Sequence, residues 1–122
     1  MVQQASARHL FAANESTYDR AVCGRAYYGV YALVTSCLPA GMSFGRGWNN
    51  PPHALLPAYI GNISGLQETA RREMRRALRR LRQRREDADY RPGVTLDRAS
   101  ARQSMRDAHQ VFAILNERHS HD

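Results

Sequence analysis

The spacing of apolar and polar residues predicts helices throughout the chain, and no window alternates with the two-residue period of a strand. A first helix is expected over residues 2–13. Ser16 and Asp19 resemble a capping box, with Asp in place of the usual Glu, and predict a second helix that reaches Leu38. The following residues, 39–52, are rich in Gly, Pro and Asn and predict a long loop.

The middle of the chain predicts a short helix and then a long one. The short helix is expected over residues 53–63. Ser64 and Gln67 form a second capping box, which predicts the start of the long helix. That helix should reach about Asp89, because Arg91-Pro92-Gly93 interrupts any helix.

The last helix is expected over residues 96–118, with Thr95 as its N-cap. A polar tail follows at 119–122. No internal repeat and no linker divides the chain, so residues 1–122 should form a single domain. The predicted fold is all-α: an up-and-down bundle of four main helices plus one short helix.

One stripe of the long helix is apolar, and the rest of its surface carries arginines. The stripe contains Leu66, Ala70, Met74, Ala77, Leu78 and Leu81. The remaining surface carries Arg72, Arg75, Arg76, Arg79, Arg80 and Arg82, which form either a solvated face or a phosphate-binding ridge. Helical geometry returns Arg84 and Arg85 to the apolar stripe, where a charge requires a partner.

The second helix places Arg25 among apolar residues. A buried arginine needs an anion, so Arg25 should either pair with Asp87 or Asp89 or line a polar pocket. Three tyrosines point in several directions around this helix, some expected in the core and others free to stack: Tyr27, Tyr28 and Tyr31. The last helix carries an apolar seam, predicted to be core or a coiled-coil-like contact: Ala101, Met105, Ala108, Phe112 and Leu115.

The charge of the chain is concentrated in the long helix. The net charge is +7, and all 18 basic residues are arginine. Ten of them lie between Arg71 and Arg91, against four acids in the same stretch. Guanidinium groups bind phosphate bidentately, so this density favours binding of a polyanion.

Cellular location and cofactors follow from what the sequence contains. No apolar run is long enough to span a bilayer, and the first residues lack the pattern of a secretory signal. Cys23 and Cys37 lie too far apart on one helix to form a disulfide, which favours reduced thiols and a cytoplasmic protein. No metal-ligand set of suitable spacing and no nucleotide-binding glycine loop is present, so no metal or cofactor is predicted.

Three segments together resemble a known family. The run 25–32, Arg-Ala-Tyr-Tyr-Gly-Val-Tyr-Ala, is similar to the RAYYA-type signature of one subfamily of HEPN domains. His53 matches a histidine that opens a short helix after a loop in that subfamily. The run 85–90, Arg-Glu-Asp-Ala-Asp-Tyr, is similar to its R-x-x-A-D-Y signature. The resemblance covers nearly the whole chain.

The resemblance implies a helical bundle that forms a homodimer and binds RNA or nucleotides. Such proteins are often encoded beside a small nucleotidyltransferase in toxin–antitoxin or defence loci. Many are metal-independent ribonucleases, in which an Arg-x(4–6)-His motif stabilises phosphate charge and assists proton transfer. The alternative is a non-catalytic interaction subunit that holds a nucleotidyltransferase or another partner.

The chain departs from the nuclease motif at one position. Arg85 is followed five residues later by Tyr90, where the nucleases have histidine, and a tyrosine is a weak base at neutral pH. The catalytic candidates are nevertheless Arg85 and Tyr90. The predicted RNA- or nucleotide-binding residues are Arg25, Tyr27, Tyr28, His53, Arg84, Asp89, Arg76, Arg79 and Arg80.

Overall fold

The structure is a computed structural model, and its regular elements are helices. It describes residues 2–45 and 49–120, with side chains described over 15–45 and 49–118. No strand occurs in these residues, which confirms the predicted all-helical bundle. The four α-helices are α1 (Val2–Ser36), α2 (Leu56–Tyr59), α3 (Glu68–Tyr90) and α4 (Arg98–Ser120). Single 3₁₀ turns flank α2, so the short helical segment runs over 53–62, close to its predicted span.

The first helix is continuous, and the predicted break near Asn14 was wrong. Ser16 and Asp19 lie inside α1 and do not form a capping box. No glycine or proline occurs before Gly24, so nothing in this stretch opposes helix propagation. Asp19 is buried and binds Arg98 of α4, with 2.8 Å between Oδ1 and Nε.

Both predicted caps of the later helices were also wrong. The long helix α3 begins at Glu68 and not at Ser64, because Gly65 has a φ of 79° and cannot lie inside a right-handed helix. At α4 the side chain of Asp97, not Thr95, accepts the hydrogen bond from the Ser100 backbone amide at 2.9 Å. This hydrogen bond is the main cause of the lowered pKa of Asp97.

The end of α3 agrees with the sequence, because the helix stops at Tyr90, before the predicted break at Arg91-Pro92-Gly93. Arg20 of α1 binds this end. Its guanidinium donates to the carbonyl oxygens of Asp87 at 2.9 Å, Ala88 at 3.2 Å and Pro92 at 3.1 Å, and also to that of Val94. A cation here satisfies terminal carbonyls and complements the negative end of the helix dipole.

The three long helices pack side by side, with α4 parallel to α1 and α3 antiparallel to both. The contacts between α1 and α4 show that the two helices run in the same direction. Asp19 pairs with Arg98 near the start of α4, and the Arg118 guanidinium lies 3.7 Å from Sγ of Cys37, just after α1. The short segment packs against α3. The core between these elements contains Tyr27, Val30, Val34, Leu38, Leu56, Ile60, Ile63, Met74, Ala77, Leu78, Leu81, Ala108, Val111 and Leu115.

The predicted pairing of Arg84 is confirmed, and its partner is on α4. Arg84 Nη1 lies 2.8 Å from Asp107 Oδ2, and Arg80 Nη2 lies 3.0 Å from Oδ1 of the same carboxylate. Asp107 also accepts a hydrogen bond from Gln103 at 3.1 Å. One buried carboxylate therefore connects α3 to α4 through two arginines.

The remaining structural predictions concern the cysteines, membrane spans, the loop over 39–52 and the C-terminal tail. Cys23 and Cys37 are free thiols, as predicted. None of the described helices is long and apolar enough to cross a membrane. The described part of 39–52 contains no helix, and 46–48 lie outside the described residues. Of the predicted tail 119–122, the first two residues continue α4 and the last two lie outside the described residues.

Candidate nucleic-acid interface

Most arginines of α3 are paired with acidic side chains. The pairs are Arg71 and Arg75 with Glu68, Arg82 with Glu86, Arg85 with Asp89, and Arg80 and Arg84 with Asp107; just after the helix, Arg91 pairs with Asp87. Within the described residues, Arg72, Arg76 and Arg79 are exposed and make no ion pair. The predicted ridge is therefore partly a structural network, and only some of its charge faces outward uncompensated.

A pocket of about 450 Å³ lies between the short helical segment and α3. One wall is formed by His53, Ala54, Pro57 and Ala58, and the other by Arg75, Leu78, Arg79, Arg82, Gln83 and Glu86. Three arginines and one glutamate thus line the pocket, and Arg75 also pairs with Glu68 outside it. Arg75 donates to the Pro57 carbonyl at 3.2 Å, and Arg82 pairs with Glu86 at 3.0 Å. Arg79 has no acidic partner among the described residues, and the buried Nε of Arg82 has no hydrogen-bond partner.

A cluster of aromatic rings surrounds His53 at the edge of this pocket. The hydroxyl of Tyr27 and Nδ1 of His53 share a hydrogen bond at 2.6 Å. The His53 ring also packs on Tyr31, at 4.3 Å between centroids, and meets Tyr28 edge-on at 6.1 Å. Tyr31 donates a hydrogen bond to the Pro51 carbonyl at 2.6 Å, which holds the loop against α1.

Burial and nearby charge determine which of these groups carry protons. Desolvation raises the pKa of Tyr27 to about 12, although Arg82 and Arg85 act in the opposite direction, so its phenol stays protonated. Burial lowers the pKa of His53, and the positive charges of Arg85 and Arg82 lower it further. The imidazole is therefore neutral near pH 7, and at neutral pH it can accept or donate a hydrogen bond.

Three neighbouring side chains hold the guanidinium of Arg85: Tyr28, Tyr90 and Asp89. Its Nη2 donates to the Tyr28 hydroxyl at 2.5 Å and to the Tyr90 hydroxyl at 3.3 Å. Its Nε lies 3.1 Å from Asp89 Oδ2 without hydrogen-bond geometry. The guanidinium also lies over both phenol rings, 5.1 Å and 5.2 Å from their centroids.

The structure brings together several predicted site residues and separates others. Tyr28, His53, Asp89, Arg85 and Tyr90 belong to one cluster, and Arg79 lines the adjoining pocket. Arg76 lies outside the pocket lining, and Arg80 and Arg84 are engaged by Asp107. Tyr27 is fully buried and can reach a ligand only through His53, which corrects its predicted role as a binding residue.

The predicted burial of Arg25 and its predicted pairing with Asp87 or Asp89 were wrong. Its side chain is exposed, and the proposed partners are engaged elsewhere, Asp87 with Arg91 and Asp89 with Arg85. Arg25 instead lines an open groove between α1 and α4. A charge beside open solvent needs no buried counterion, so the apolar neighbours of Arg25 in sequence do not imply burial.

Sequence reasoning missed two lining residues of the pocket and the connecting role of a third. Glu86 and Gln83 line the pocket, and Arg75, predicted only as part of a possible ridge, connects its two walls through Pro57. The helical spacing of these residues shows that they share a face with Arg79, but not which segment covers that face. Within the described part of the chain, no three His, Cys, Asp or Glu side chains come together in a way that could hold a metal ion.

The electrostatics of His53 can be measured directly. In a proton NMR titration its imidazole should titrate below the ordinary value of 6.5, because burial and two nearby guanidinium groups disfavour the charged ring. Arg82→Gln and Arg85→Gln should each move the midpoint upward, whereas Arg72→Gln should leave it in place. A wild-type midpoint at or above 6.5 would contradict the observed environment.

Comparison with known proteins yields no assignment for this chain. No family model matches it, and neither a curated protein nor a solved structure matches it. The HEPN resemblance therefore stays a prediction from motifs.

Proposed function

We propose that this chain is an HEPN-type protein that binds RNA or nucleotides in the pocket between the short helical segment and α3. The observation that carries the proposal is the charge of that pocket: Arg75 pairs with Glu68 and Arg82 with Glu86, whereas Arg79 has no acidic partner among the described residues. A phosphate group supplies the missing negative charge, and a guanidinium can bind it with two hydrogen bonds.

The neighbouring aromatic side chains fit the same ligand. Tyr28 is 43% exposed and Tyr90 is 67% exposed, and both flank the charged guanidinium of Arg85. Such phenol rings provide faces on which unpaired bases stack, while the arginines contact the backbone. His53 connects the two parts, because it lines the pocket and its ring meets Tyr28.

Arg85 and Tyr90 are the pair to which the HEPN resemblance gives a role in cleavage, and they do meet in the structure. However, Nη2 of Arg85 already donates to Tyr28 and Tyr90, and its Nε faces Asp89. A phosphate would have to displace these contacts, and Tyr90 brings no strong base. The proposed function is therefore binding, and ribonuclease activity is a separate prediction of the resemblance.

A combined binding and cleavage assay tests the proposal. Total tRNA and mRNA are incubated with the purified chain in EDTA, with Arg85→Ala alongside. We expect intact RNA and an affinity that falls about tenfold between 50 and 200 mM salt, as a few phosphate contacts would produce. Negligible binding at low salt would refute the proposal, and cleavage that requires Arg85 would make the chain a metal-independent ribonuclease.

A second candidate function is a protein-interaction subunit, which would fit the predicted nucleotidyltransferase partner. It is favoured by a specific observation: Tyr18, Met105 and Phe112 are large apolar side chains exposed along one groove. The predicted homodimer, the toxin–antitoxin or defence setting and the cytoplasmic location come from the sequence alone and stay predictions.

A further inference from the structure

An open groove runs between the parallel helices α1 and α4, on the side of the bundle that α3 does not cover. Its α1 wall contains Tyr18, Val22, Arg25, Ala26 and Gly29. Its α4 wall contains Ala101, Met105, Ala108, His109 and Phe112. These positions recur every three or four residues, so each helix presents one continuous face to the groove.

The floor of this groove is apolar and exposed. Tyr18 is 59% exposed, Met105 44% and Phe112 38%, which places three large apolar side chains in contact with solvent at one site. Of the predicted seam of α4, Ala101, Ala108 and Leu115 are buried, whereas Met105 and Phe112 face outward. The stretch of α4 that lines the groove, from Arg98 to Phe112, is about 20 Å long at 1.5 Å per residue, the length of nearly four helical turns.

The rim of the groove carries charge of one sign. Arg25, Arg98, Arg102 and Arg106 line it, and no carboxylate is among the lining residues. Arg98 is engaged by Asp19, and Arg106 donates to Gln103. In the described part of the chain Arg25 and Arg102 make no ion pair, so their charge is available to a partner.

We propose that this groove binds an acidic amphipathic helix of a different protein. A helix in the groove would cover the apolar floor and complete a bundle of four long helices. Glutamate or aspartate on its flanks would neutralise the arginines of the rim. A second copy of this chain fits less well, because a two-fold contact would bring the same four arginines from each copy together without carboxylates lining either side.

The inference is independent of RNA binding, since none of these residues lines the pocket beside α3. Its test is a selection on the purified full chain from a display library of 18-residue helices. In each library helix, apolar residues occupy positions spaced alternately three and four residues apart. Each of the other positions is Glu or Lys with equal frequency. We expect the selected helices to be rich in Glu, with binding confirmed by fluorescence anisotropy.

Substitutions locate the bound helix on the surface. Phe112→Ala should weaken the selected helix about thirtyfold, as the loss of a central apolar anchor does. Arg25→Glu with Arg102→Glu should weaken it about tenfold, because two rim charges change sign. The matched controls are Leu55→Ala, a large apolar side chain exposed outside the groove, and Arg72→Glu with Arg76→Glu on α3; both should leave affinity unchanged.

Three results would overturn the inference. The first is a selection that enriches no helix. The second is enrichment of helices without a Glu excess, or equal sensitivity to the control variants. The third is light scattering in which the chain forms a dimer that Met105→Ala and Phe112→Ala disrupt, which would assign the groove to a second copy.

Discussion

Replacing Asp107 by alanine is expected to lower the free energy of unfolding by about 3–5 kcal/mol, the cost of removing one partner from a buried ion pair. Asp107 is 2% exposed and accepts hydrogen bonds from Arg84 at 2.8 Å, Arg80 at 3.0 Å and Gln103 at 3.1 Å. Without the carboxylate, the Arg84 guanidinium, 16% exposed, loses its counterion at the α3–α4 contact. Arg80 is 45% exposed and can turn to solvent, so most of the loss comes from Arg84.

Urea denaturation followed by circular dichroism measures this loss. Glu117→Ala is a matched control on the same helix, because its carboxylate is exposed, and it should change stability by less than about 0.5 kcal/mol. An Asp107→Ala variant within about 1 kcal/mol of wild type would show that the carboxylate does not hold the two helices together.

The same carboxylate gives stability a dependence on acid. Burial alone would raise the pKa of Asp107, but hydrogen bonds from Arg80, Arg84 and Gln103 outweigh burial and lower it. A carboxyl with a lowered pKa in the folded state stabilises fully above its unfolded pKa near 4, and this contribution is lost as pH falls through the folded value. Asp107→Asn should therefore flatten the acid side of the stability profile.

The features that could be predicted from the sequence are those that depend on residue spacing within a single helix. Met74, Ala77, Leu78 and Leu81 share a face by helical spacing, and all four are buried. The predictions of secondary structure that failed concerned helix ends, because a capping pattern such as Ser16 to Asp19 also occurs within helices. Only the surrounding chain shows which case applies.

The candidate site also combines contacts within one helix, which are predictable, with contacts between elements, which are not. Arg85 and Tyr90 are five residues apart on one helix, so their contact follows from sequence spacing. The pocket depends on where the segment beginning at His53 docks, which no helical pattern specifies. The partner of Arg84 is on another helix, at Asp107, and spacing within α3 could show only that a partner was needed.

Reversing the charge of the pocket by Arg79→Glu with Arg82→Glu is expected to weaken RNA or nucleotide binding about 100-fold at low salt. Each lost charge-assisted contact costs about 1.5 kcal/mol, or roughly tenfold in affinity. These two side chains are suitable because Arg79 has no acidic partner in the described residues and Arg82 has a buried Nε without a hydrogen-bond partner. The slope of affinity against salt should fall as well, by about 0.7 for each phosphate contact removed from a single strand.

The matched control is Arg72→Glu with Arg76→Glu, which changes net charge by the same amount on the same helix but outside the pocket lining. If binding is specific to the pocket, the control should retain most of the affinity of the wild type. Melting temperatures of both double variants should be compared, since Arg82→Glu also places two acids together at Glu86. Equal losses in the two variants would mean that RNA responds to the overall charge of α3, and the pocket would lose its assigned role.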